Sequence, residues 1–232
     1  MTLREWKITD SSLTAIKVIG ILAMLLDHYN SFLNTEHSPL LFETGRLALP
    51  LFVFVLGYNL ARIPSQKLPQ LILRLLIFGV ISTPVYNILS GGIGHWWPLN
   101  ILFTLLVATA IVYLLSAQAS SHWQMPLRLT GALFFIVTGG LVDYLWVGPA
   151  LVVVIWRLFA DVRPKERTML NIALIVLTIL LCLLNDSLAA LFAVPVILLC
   201  IQLCQNIDLP RMKWFFYWFY PGHLLALLLL RG

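Results

Sequence analysis

The stretch TMLNIALIVLTILLCLL at positions 168–184 runs for seventeen residues without a charged side chain. As a helix it would be about 25 Å long, close to the ~30 Å hydrocarbon core of a bilayer. Working outward in both directions, comparable apolar runs recur near 13–33, 46–62, 70–89, 98–117, 128–140, 143–159, 187–204 and 213–230. Turn chemistry separates them, at Pro64-Ser65, Ser90-Gly91-Gly92, Gly139-Gly140, Arg163-Pro164 and Asn185-Asp186. The composition agrees: 60% of residues are hydrophobic and 11% charged, where soluble domains carry about 25% charged residues. A soluble chain of this length could not hide so much apolar surface. The expected fold is an all-α polytopic integral membrane protein, a single domain over residues 1–232 with about nine transmembrane helices. No internal repeat, low-complexity tract or linker interrupts it.

Basic residues set the expected orientation. With the N-terminus in the cytoplasm, the inner side receives Arg4, Lys7, Lys17, Arg62, Lys67, Arg74, Arg128, Arg157, Arg163, Lys165, Arg167, Arg211 and Lys213, and the outer side Arg46 and Arg231. Thirteen against two favours an odd number of crossings. The stretch 129–156 strains that count, because its 28 residues must cross twice, about 20 Å of helix for each leg. The alternative is eight spans with a re-entrant hairpin shielded by neighbouring helices. The first run reads as a signal anchor rather than a cleaved signal peptide. Its basic flank is followed by no small-residue cleavage site, and Asp27-His28 interrupts its end.

The excess of 15 Lys+Arg over 10 Asp+Glu does not point to nucleic acid, since the charges lie between apolar runs instead of gathering into a stripe. Cys182, Cys200 and Cys204 lie inside apolar runs with no CxxC pair, so they read as packing residues and no metal site is expected.

Ionisable groups inside spans are costly and need a reason. Asp27 and His28 lie in the outer half of the first span, where a helix end at the headgroups is the alternative to a site. Arg46 breaks the positive-inside pattern and calls for a charge partner, for which Asp27 is the obvious choice. A structural ion pair and a substrate-holding arginine are both open there. Pro50 is expected to kink the helix beside it. In Phe219-Tyr220-Pro221-Gly222-His223-Leu224, Pro-Gly is expected to break the helix beside His223, as at a cavity; a histidine bonded to a neighbouring helix is the plainer alternative. Asn59 and Arg62 close the second span on the inner side, and Asn100 opens the fourth on the outer side. His37, His95 and His122 fall in expected loops, and Asp143 and Asp186 at outer turns where capping accounts for them. Two histidines with a carboxylate could run general acid–base chemistry or relay protons in a transporter. The residues alone leave both open.

The run Ile16-Lys17-Val18-Ile19-Gly20-Ile21-Leu22-Ala23-Met24-Leu25-Leu26-Asp27-His28 resembles the opening signature of the TraX family, the F-pilin acetylases. So does Gly45-Arg46-Leu47-Ala48-Leu49-Pro50-Leu51-Phe52, which continues to Gly57-Tyr58-Asn59-Leu60-Ala61-Arg62. Asn100-Ile101-Leu102-Phe103 is similar to the family's fourth-span entry, and Phe219 to Leu224 to its C-terminal Phe-Tyr-x-x-His-Leu. Spans five to eight match only in hydropathy. The resemblance implies a multi-pass protein of the bacterial inner membrane, related to the multispanning acyltransferases. It would move an acetyl group from acetyl-CoA to the N-terminal amine of a pilin or similar membrane-associated acceptor. His28 would be the base, Asp27 or Arg46 would set local electrostatics, and His223 would be a second base or a donor to the thioester oxygen. Asn59, Arg62 and Asn100 would face the CoA, with Arg62 as a plain topology charge the alternative. A proton-coupled carrier and a non-catalytic pilus-assembly factor are the other readings.

Overall fold

The structure is a computed structural model that describes residues 8–92, 94–116, 121–210 and 212–231. Arg4, Lys7, Arg211 and the end of the run at 117 lie outside the described residues. The described residues form helices α1 (Asp10–Phe32), α2 (Pro39–Gly45), α3 (Ala48–Arg62), α4 (Leu68–Ser90), α5 (Ile101–Ser116), α6 (Ser121–Gly139), α7 (Val147–Phe159), α8 (Pro164–Asn185), α9 (Ala193–Leu203) and α10 (Lys213–Arg231). Short 3-10 turns cover Ser65–Lys67 and Ala189–Phe192. Among the described residues there is no strand, only an isolated bridge between Leu99 and Val142. The all-helical expectation holds.

Among the described residues, four stretches are long and apolar enough to cross a membrane: Asp10–Phe32, Pro39–Arg62, Ser65–Ser90 and Pro164–Asn185. The other expected spans differ for identifiable reasons. Helices α5 and α7, and the stretch Ala189–Leu203, are apolar but shorter. Helices α6 and α10 have 19 residues each, but α6 is diluted by Gln124 and Arg128 and α10 by Trp, Tyr and His side chains.

Several boundaries need correction. The second run starts at Pro39, not at 46, and its interruption falls at Arg46-Leu47, between α2 and α3. Pro50 therefore sits in the first turn of α3, where a missing N–H costs nothing, and the interruption lies one turn before it, where the expected break beside Pro50 falls. His122 lies in α6 and not in a loop, because α6 begins at Ser121, seven residues before the expected 128. Helix α7 is correspondingly late, starting at Val147. Pro221-Gly222 does not break α10, which continues through it.

The chain clusters into two compact units, residues 8–55 with 178–231 and residues 56–177, and passes between them within α3 and α8. In the first unit, α1 starts on Thr9, whose hydroxyl accepts from the Ser12 N–H at 3.1 Å. Ile16, Leu51, Val53, Leu181 and Leu224 are its most deeply buried apolar side chains, and Gly20 lets the Phe52 ring approach α1. Near the start of α1, Ser11 Oγ accepts from Leu209 N at 3.0 Å, just ahead of α10. Further along, Lys17 Nζ lies 4.3 Å from the centre of the Phe216 ring, and His28 meets His223. The paired positions rise together along both helices, so α1 and α10 run parallel.

In the second unit, α5 is the central helix and packs on α4, α6 and α7. Val107, Ile111 and Val142 form a core joined by Leu99, Phe103, Phe134, Phe135 and Val153. Asn100, 1% exposed, caps α5 through Oδ1 and Leu102 N at 3.1 Å and donates Nδ2 to Gly79 O at 3.0 Å and Thr83 Oγ1 at 3.2 Å. The three cysteines are buried and unlinked.

Candidate functional site: a histidine pair beside an arginine–aspartate pair

The first unit gathers four of the expected site residues. Helix α1 supplies Asp27 and His28 in its last turns, the α2–α3 junction supplies Arg46, and α10 supplies His223. His28 Nδ1 and His223 Nε2 are 2.7 Å apart, with the ring planes within 9° of parallel. His223 Nδ1 lies 3.0 Å from the carbonyl oxygen of Phe219, one turn earlier on α10.

These two contacts fix the proton arrangement. A carbonyl oxygen only accepts, so His223 Nδ1 must carry a hydrogen. In a neutral His223, Nε2 is then the acceptor, and His28 Nδ1 donates to it. That leaves His28 Nε2 without a hydrogen, and it has no hydrogen-bond partner among the described residues. One ring nitrogen of the four presents an open lone pair. Phe219 stacks on His223 with centroids 5.2 Å apart, Phe32 lies 5.4 Å from His28, and Tyr220, 4% exposed, sets its ring edgewise to both imidazoles. These aromatic neighbours restrict both rings and keep the surroundings apolar.

Arg46 forms an ion pair with Asp27, as the charge pattern required, and both side chains are 17% exposed. At that depth the pair is far from a surface salt bridge, and removing one partner would strand the other charge. The Arg46 guanidinium also lies 4.6 Å from the centre of the Phe42 ring, and its Nε is buried with no hydrogen-bond partner among the described residues. Gly45 makes this packing feasible. A Cβ there would meet Asp27 Cβ at 2.5 Å and Asp27 Oδ1 at 2.7 Å, so only glycine lets the end of α2 rest on Asp27.

The other three expected residues belong to the second unit. Asn59 is half-buried, and Arg62 is exposed with its guanidinium 5.3 Å from the centre of the Tyr58 ring. Asn100 commits its amide to α4 and to its own helix start. Sequence reasoning passed over Gly45, whose place directly before a buried arginine was the available signal. It also passed over Phe219, whose spacing of four residues before His223 puts its carbonyl under the ring.

A family model described as TraX protein matches residues 12–231, nearly the whole chain. The chain belongs to the TraX family. All four clustered residues lie inside the TraX match. A protein named Protein TraX from Escherichia coli is 32% identical over 218 residues, covering 91% of this chain and 84% of that protein. A second Protein TraX, from Escherichia coli strain K12, is 30% identical over the same shares. A protein named probable fimbrial assembly protein FimC, serogroup H1, from Dichelobacter nodosus is 31% identical over 219 residues, covering 90% and 84%. No solved structure matches the chain significantly.

Proposed function

We propose that this TraX-family chain is a multi-pass acetyltransferase of the bacterial inner membrane. It moves an acetyl group from acetyl-CoA to the N-terminal amine of a pilin or a similar membrane-associated acceptor. The observation that carries this reading is the open lone pair on His28 Nε2, backed by a hydrogen-bonded second imidazole. An α-amine has a pKa of about 7.7–8.0, so at neutral pH it needs a base before it can attack a thioester. A histidine whose far nitrogen is already bonded is oriented to take that proton, which contributes about 10²–10⁴-fold. Arg46, fixed by Asp27, supplies a positive charge beside the pair for the oxyanion that develops on the thioester carbonyl.

The donor reaches this site along α1 in our reading. Lys17 precedes His28 by eleven positions, about 16 Å along the helix. It is the cation on α1 best placed for the CoA phosphates. Asn100 is left out of the CoA site, because its hydrogen bonds are to protein. The whole chain, 1–232, acts as one transmembrane domain. Its N-terminus is cytoplasmic, as the thirteen-to-two charge bias favours. The parallel course of α1 and α10 supports an odd number of crossings, since two parallel spans enter from the same side. The fimbrial name of the Dichelobacter nodosus relative supports a pilus subunit as the acceptor.

The test uses the purified chain in lipid nanodiscs with acetyl-CoA and peptides bearing free or blocked N-termini. Mass spectrometry should find one acetyl group on the free amine alone, and none with His28→Ala. A proton-coupled carrier built on the same pair would acidify or alkalinise vesicles without acetylating any peptide. A non-catalytic assembly factor would do neither.

A further inference from the structure

We infer that the acetyl group is held covalently on His28 Nε2 between donor and acceptor, with His223 as the residue that holds the displaced proton. This rests on the acetyltransferase reading and specifies its chemistry. The two possible roles of His28, base and nucleophile, ask different things of the far nitrogen. A general base gains a proton at Nε2 and has no need to lose the one at Nδ1. A nucleophile does need to lose it. A neutral imidazole acylated at one nitrogen carries a positive charge until the other nitrogen gives up its hydrogen. In this protein that hydrogen already points at a second imidazole nitrogen 2.7 Å away. The acceptor is itself held by the Phe219 carbonyl, at 3.0 Å from Nδ1, so it can become an imidazolium without turning.

The steps balance. The Nε2 lone pair of His28 attacks the thioester carbonyl carbon, the C–N bond forms, and the C–S bond breaks with its electron pair leaving on the CoA thiolate. The Nδ1 hydrogen of His28 passes to Nε2 of His223. The products are a neutral acetylimidazole at residue 28 and an imidazolium at residue 223 that donates a hydrogen bond back to it. That bond polarises the acetylimidazole toward attack. A neutral amine then displaces the acetyl group, the C–N bond to His28 breaks, and His223 returns its proton to His28 Nδ1. The proton shed by the acylated amine balances the thiolate released earlier, so the sum is amide and free thiol. Donor and acceptor never need to occupy the site together.

The experiment is isotope exchange without acceptor. The purified full chain in nanodiscs is given acetyl-CoA and radiolabelled CoA with no amine, and label entering the acetyl-CoA pool is followed. In parallel, the protein is quenched after mixing with acetyl-labelled acetyl-CoA, and the modified residue is mapped by mass spectrometry. A covalent intermediate gives exchange and a hydroxylamine-labile acetyl group on His28, and His28→Gln loses both. His223→Gln keeps an acceptor for the Nδ1 hydrogen but takes no proton. It should lower the exchange rate by about 10²–10⁴-fold while acetyl-CoA binding is retained. Acetylation of a peptide amine with neither exchange nor labelled histidine would overturn the covalent step and leave His28 as a base in a direct transfer. Absence of both exchange and amine acetylation in the unmodified protein would overturn the acetyltransferase reading along with it.

Discussion

In the unit formed by residues 56–177, Asn100, Thr104, Trp97 and Trp146 give side-chain hydrogens to main-chain carbonyls, at 2.8–3.1 Å. In the other unit, Asp27 is matched to Arg46, His28 to His223 and Ser187 to Glu43, side chain to side chain. Bonds to the main chain are scaffold, because they satisfy groups that the fold already fixes. The second unit also holds a side-chain pair, Arg157 with Glu166, but it is about a third exposed; the Asp27–Arg46 and His28–His223 pairs of the first unit are more enclosed and have greater chemical range. Both also leave something over, the lone pair of His28 Nε2 and the buried N–H of Arg46 Nε. Polar residues in an apolar chain therefore do not by themselves mark a site. Incomplete satisfaction narrows the choice, to the Asp27–His28–Arg46–His223 cluster and to Asn185, whose Nδ2 is also buried and unpartnered among the described residues.

The largest test of this contrast is His28→Ala, which should lower acetyl transfer by about 10²–10⁴-fold or more while thermal melting in detergent stays close to that of the parent. A transfer rate within a few-fold of the parent would remove the histidine pair from the chemistry. Next comes the ion pair. Asp27→Asn should destabilise the protein by about 3–5 kcal/mol, because it leaves the Arg46 charge stranded, and chemical denaturation reads this directly. Arg157→Lys in the second unit should change stability little. Its pair with Glu166 is about a third exposed on both sides, and screened pairs contribute little.

Asn100→Ala sharpens the contrast from the scaffold side. Gly79 O and Thr83 Oγ1 would lose a donor, at a cost of about 1–3 kcal/mol, with acetyl transfer per folded molecule unchanged. A selective rise in the acetyl-CoA concentration needed for half-maximal rate would return Asn100 to the donor site. The smallest effect is expected at Gly222, with Gly45 as its counterpart. A Cβ at Gly222 meets nothing within 4 Å, so Gly222→Ala should be neutral or stabilising by up to about 1 kcal/mol. Gly45→Ala should be the opposite case and separate Asp27 from Arg46. Comparable melting temperatures for the two variants would refute the close approach of α2 and α1.

Much of this arrangement was legible in the sequence. Charge economy alone pointed Arg46 at Asp27, because an arginine within an apolar chain has few carboxylates to choose from. The helix breaks at Gly91-Gly92, Gly139-Gly140 and Asn185-Asp186 followed from turn chemistry, and the structure places Gly92 at φ 105° and Asp186 at φ 48°. Less legible was whatever depends on the register between distant helices. Pro221-Gly222 looks like a break locally, yet the packing of Tyr220, His223 and Leu224 keeps α10 continuous. Asn100 looked like a ligand contact because its partners, Gly79 and Thr83, lie on another helix. The opening of the second run at Pro39 was hidden by Glu43 and Arg46, polar residues whose partners also come from elsewhere in the chain.

The meeting of the first helix with the last has a consequence for biosynthesis. His28 and His223 stand 195 positions apart. At a synthesis rate of about 5–20 residues per second, His28 waits roughly 10 to 40 s for its partner. During that interval α1 carries an unmatched imidazole, while Asp27 gains its arginine within a second or few. A chain cut short anywhere before α10 would thus hold an intact ion pair but no coupled histidines. Synthesis of α10 becomes the event that completes the proposed site, so products terminated before it would be inert in transfer without any separate safeguard.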